Sequence, residues 1–102
     1  MGIEIVVEAE DGTKISSAED PGNILHRVLP RHDDPTYQCL NRIDWYGDTV
    51  FNRHQISAIK EELRRVCQDI REPAALTLIE RIRVLAEQSE AEPHLYLKFY
   101  GD

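Results

Sequence analysis

Residues 51–90 carry the pattern that most limits what this chain can fold into. Asn52 followed by Gln55 fits a capping box, and Phe51 with Ile56 fits a hydrophobic staple around the same helix start. From there the apolar residues Ile56, Ile59, Leu63, Val66 and Ile70 are spaced 3, 4, 3 and 4 apart. That is one stripe of an amphipathic helix from about Arg53 to Ile70. Glu72-Pro73 ends it, and Pro73 suits the first turn of a second helix running to about Ser89. Ala75, Leu78, Ile79, Ile82, Leu85 and Ala86 make its stripe. So short a link leaves either one sharply bent rod or two antiparallel neighbours, and the antiparallel pair, which needs a common apolar surface, is the preferred reading.

The rest of the chain supplies that surface as strands. Ile3 to Glu10 is rich in β-branched residues, Asp11-Gly12 is a hairpin signal, and Thr13 to Ser17 should return with Ile15 pointing inward. Asp20 then reads as an N-cap with Pro21 at the first position of a short helix to Leu29. That helix would bury Ile24, Leu25, Val28 and Leu29. Pro30 to Pro35 is an exposed loop, Tyr37 to Ile43 a third strand, and Thr49 to Phe51 a fourth after the turn Asp44-Trp45-Tyr46-Gly47-Asp48. His94 to Tyr100 alternates, with Leu95, Leu97 and Phe99 on one side. The expectation is one α+β domain over 1–102 in the order ββαββααβ. It has an antiparallel sheet of about five strands, the last entering centrally, with a helix pair and a short helix on one face.

Composition narrows the function. With 41% apolar residues in 102, the chain can bury one core and no more. No stretch is apolar enough for a membrane span. Met1-Gly2-Ile3-Glu4 lacks the basic start of a signal peptide, and Val6 stands where a myristoylation motif wants Ser or Thr. A cytoplasmic location is expected. The net charge of −7 disfavours nucleic acid and suits a basic partner. Residues 51–71 are locally basic, but Arg64-Arg65 sits among Glu61, Glu62 and Asp69 and reads as a solvated helix face. Cys39 and Cys67 lack C-x-x-C spacing and read as buried thiols.

No catalytic or cofactor motif is present. The phosphate-binding glycine patterns are missing, and His26, His32, His54 and His94 lack metal-ligand spacing, so no metal or cofactor is expected. Asp44, Asp48, Glu61 and Glu62 should all lie in water, where no acid–base pair is set up. The Asp44–Asp48 turn, with Arg53 nearby, is the densest polar-aromatic cluster. As a binding surface it offers Trp45 and Tyr46 between two carboxylates. As a plain turn it needs Gly47 at positive φ, Asp48 bonding backbone amides and Trp45 covering the core. A second candidate surface is the outward side of the last strand: His94, Tyr96, Lys98 and Tyr100.

Two segments, Tyr46-Gly47-Asp48-Thr49-Val50-Phe51-Asn52-Arg53 and Pro93-His94-Leu95-Tyr96-Leu97-Lys98-Phe99-Tyr100-Gly101-Asp102, resemble a group of small bacterial proteins, the similarity running over most of the chain. No activity comes with that resemblance, so it implies no catalytic residue. At the level of composition the chain is also loosely similar to bacterial immunity and antitoxin-like proteins. The expected function is a small acidic, non-catalytic protein-binding domain, immunity- or inhibitor-like. Its contact residues would be Asp44, Trp45, Tyr46, Asp48, Arg53, His94 and Tyr96, and Trp45→Ala should weaken partner capture. One alternative is a small enzyme or small-molecule-binding domain with a pocket between sheet and helices, using His94, Tyr96, Arg53 and Asp44. Another is a subunit of a larger assembly.

Overall fold

The first hairpin forms where Asp11-Gly12 places it. The computed structural model describes residues 3–20 and 22–101. In it Gly12 takes φ 93°, a value that favours glycine, and the Asp11 side chain accepts the Thr13 N–H at 2.9 Å. Strands β1 (Glu4–Ala9) and β2 (Lys14–Glu19) run back from this turn. Between Val7 and Glu8 the pairing slips by one residue of β2, from Ser16 to Lys14. Ile15 is the residue left over. It is 46% exposed and does not point inward as expected, because the bulge hands the inward positions to Ser16 and Ala18.

The short helix α1 (Ile24–Val28) starts later than the sequence implied. Asn23 sits at φ 55°, and the buried Asp20 carboxylate reaches past it to accept the N–H groups of Ile24 at 2.8 Å and Leu25 at 2.7 Å. Asp20 therefore caps the helix from a distance. Pro21, expected as the first helical residue, lies outside the described residues. Leu25 and Leu29 are buried; Ile24 and Val28 are half-buried.

Tyr37 to Ile43 is not a strand. It holds bends and a short 3-10 turn, Leu40–Arg42. The cause lies in the second half of the chain: Glu62 accepts the N–H groups of Gln38, Cys39 and Leu40 at 2.8–3.2 Å. Amides held by one carboxylate cannot join a ladder. The sheet therefore has four strands, not about five, and the chain order loses one β. Strand β3 (Asp48–Phe51) follows the turn, and strand β4 (Leu95–Tyr100) ends the chain's regular structure. The order across the sheet is β2-β1-β4-β3, antiparallel throughout, with β4 central as its regular alternation predicted.

Helices α2 (Arg53–Gln68) and α3 (Pro73–Glu90) follow the sequence signals closely. Asn52 accepts the His54 N–H at 3.0 Å while Gln55 accepts the Asn52 N–H at 2.9 Å. Both predicted stripes are buried. Ser57 and Lys60, in the first half of α2, reach Glu90 at the end of α3 at 3.2 and 2.6 Å, so the helices are antiparallel neighbours. Their stripes share one core with Leu25 and Leu29, with Ile5 and Val7 of β1, and with Leu97 and Phe99 of β4. All three helices thus cover one side of the sheet.

Candidate functional site

The other side of the sheet is open. Period-two alternation sends Glu4, Val6 and Glu8 of β1 to it, opposite Tyr100, Lys98 and Tyr96 of β4. β3 adds Asp48 and Val50, and β2 adds Ser17 and Glu19. Val50 is 51% exposed, whereas Val6, paired between Lys98 and Ser17, is fully buried by the side chains around it.

The centre of this face is a fixed polar cluster. The Glu8 carboxylate takes a hydrogen bond from Lys98 Nζ at 2.8 Å on one oxygen and from Tyr100 Oη at 2.6 Å on the other. The side chains of Lys98 and Glu8 are only 22% and 11% exposed. These bonds, that from Lys98 first, hold the Glu8 carboxyl below its ordinary value. The same carboxylate raises the Lys98 ammonium and the Tyr100 hydroxyl above theirs. A general base or nucleophile needs a shift in the opposite direction for Lys or Tyr. The cluster is built to hold shape and charge.

The residues singled out in sequence fall into two groups at opposite ends of β4, a strand spanning roughly 20 Å. Asp44, Trp45, Tyr46 and Asp48 stand at its C-terminal end, where Gly101 N–H donates to the Gly47 carbonyl at 2.7 Å. Tyr46 is 81% exposed, while Trp45 packs against the core. Arg53, His94 and Tyr96 stand at the other end, with His94 Nδ1 3.1 Å from Glu10. Asp48 and Tyr96 both lie on the open face.

The turn works differently from its sequence reading. Gly47 is not at positive φ. A Cβ there would meet Asp44 Oδ2 at 2.7 Å, but that exposed side chain can turn aside. Asp44, not Asp48, accepts a backbone N–H, that of Tyr46 at 2.9 Å. Gly101 is tighter still, since its Cβ would stand 2.5 Å from the Trp45 carbonyl oxygen and 2.8 Å from that of Asp44. Backbone cannot yield as a flexible side chain can. Gly101→Ala should therefore cost about 1–2 kcal/mol in urea denaturation and change the Trp45 emission, by prising the end of β4 off the turn.

Two residues escaped the sequence reading. Glu8 lies in a run where Ile5-Val6-Val7 hides the alternation; the signal was its spacing from Glu4. Glu62, expected in water, is 2% exposed. It sits three residues after Ile59, on the edge of the buried stripe, and that position was readable. Cys39 is buried and Cys67 half-buried; both are free, and burial pushes both thiols up. Among the described residues, no helix is long and apolar enough to cross a membrane, and no three His, Cys, Asp or Glu side chains converge as a metal site would require. No family model, curated protein or solved structure matches the chain.

Proposed function

We propose that this chain is a small binding domain that docks a basic protein on the open face of its sheet. One observation carries the reading: a whole sheet face without a helix, organised around the Glu8–Lys98–Tyr100 cluster. Glu4, Glu8, Glu19 and Asp48 outnumber Lys14 and Lys98 there, so the face shares the acidity of the chain. Tyr96, Tyr100 and Val50 supply the apolar contact, and tyrosine is enriched where binding energy concentrates. A partner with Lys or Arg around an apolar centre complements this surface. Only the loose, composition-level similarity to immunity and antitoxin-like proteins points toward an inhibitor-like role. Lys98 and Tyr100 both donate to Glu8, so neither stands free as a base or nucleophile on this face.

The test compares captures. Tagged wild type, Tyr96→Ala/Val50→Ala, and Trp45→Ala/Tyr46→Ala are used as baits in host lysate, and the affinity of any stoichiometric protein retained by wild type is measured against each. A basic partner whose affinity falls about thirtyfold, roughly 2 kcal/mol, with the Tyr96/Val50 variant supports the face. A partner lost only with the Trp45/Tyr46 variant moves the site to the turn and overturns this reading. So does a partner that is acidic or insensitive to both.

A further inference from the structure

A second surface differs in sign and kind from the sheet face. α1 and the residues just after it form one wall of a groove of about 540 Å3, and Trp45 lines the other. That size suits a small organic ligand. Leu29 and Pro30 are buried and give it an apolar lining. Around this apolar base stand Arg27, Arg31, His26 and His32, with Asp33 the one carboxylate in the lining. On a chain of net charge −7, this groove gathers two arginines against one carboxylate in its lining, with two histidines beside them.

The cations are available. Arg27 meets Glu72 at 3.4 Å and Arg31 meets Asp33 at 4.0 Å, all four side chains being well exposed. Such loose solvated pairs contribute little and yield readily to a better anion. The aromatic parts are more firmly placed. Trp45 lies edge-on to His26, ring centroids 5.0 Å apart at 87°. His32 Nε2 lies 2.7 Å from the Ile43 carbonyl oxygen. A carbonyl only accepts, so Nε2 carries the proton and Nδ1 is left for another partner.

We propose that this groove binds a small organic anion with a planar aromatic body, its ring against Trp45 and its acid group between Arg27 and Arg31. Guanidinium pairs match phosphate and carboxylate alike, and an indole takes a flat ring by stacking. This site is independent of the sheet face and of any protein partner.

The chain has one tryptophan, so its single indole N–H resonance reports on the groove. The protein is titrated with adenosine monophosphate and with naphthoate, which carry phosphate and carboxylate on a flat ring. Adenosine and inorganic phosphate serve as ring-only and anion-only controls. At least one ring-bearing anion should shift the Trp45 indole and the His26 and His32 ring signals saturably. It should bind about tenfold or more tighter than either control. Arg27→Gln/Arg31→Gln, with its backbone spectrum still that of the folded chain, should weaken it by a similar factor. Which of the two binds better decides between a phosphorylated and a carboxylated ligand. No saturable shift with either overturns the proposal, as does a response equal in the controls or unchanged in the double variant.

Discussion

Glu62→Ala should lower the stability of the domain by about 3 kcal/mol or more, the largest effect expected of any single substitution here. The carboxylate is buried and accepts from the N–H groups of Gln38, Cys39 and Leu40. Alanine leaves those donors facing a gap, and each unsatisfied buried amide costs about 1–3 kcal/mol. In a domain of this size the loss corresponds to a midpoint roughly 15 °C lower. The damage should spread from the 38–40 segment, which leads through the 3-10 turn to Ile43 and Trp45. Glu62→Gln keeps one acceptor oxygen and turns an amide toward the others, so it should fall between wild type and alanine. Thermal denaturation of the three proteins checks the order. Equal midpoints for alanine and wild type would mean that water replaces the carboxylate.

The same residue shows where the sequence could be read and where it could not. Helices α2 and α3 were legible because their signals are local: a cap, a staple and stripes closing within one turn. β4 was legible because its alternation is unbroken. The Tyr37–Ile43 segment was misread because its strand-like residues are overruled by a carboxylate more than twenty positions away. Ile15 was misplaced because one bulge reverses facing, and nothing in its own neighbourhood announces the slip. The candidate sites divide likewise. Tyr96, Lys98 and Tyr100 could be assigned to one face by period two, but their anchor Glu8 comes from the opposite end of the chain. The groove joins residues 26–33 to Trp45 only through the path of an irregular loop, which no periodicity predicts.

Glu8 sets the second large expectation, a loss that depends on pH. At neutral pH Glu8→Gln should cost about 2 kcal/mol. An interior pair would be worth more, but one side of this face meets water, so the value is discounted. The folded protein holds the Glu8 carboxyl below its ordinary value, chiefly through the Lys98 hydrogen bond and then that of Tyr100. Its contribution is therefore present above the unfolded carboxyl range and is lost as pH falls through the lowered folded value. Lys98 and Tyr100 are raised, each first by its bond to Glu8. Their contributions are present below their unfolded values and disappear as pH rises through the folded ones. The gap between wild type and Glu8→Gln should thus be widest and flat from about pH 5 to about pH 9.5, and should narrow on both sides. Urea denaturation of both proteins at pH 3, 4.5, 7 and 10.5 measures it. A gap that stays constant into acid would show that glutamine loses shape rather than charge. In that case the cluster orders the open face by packing, and a basic partner would be recognised by the rim acids Glu4, Glu19 and Asp48 instead.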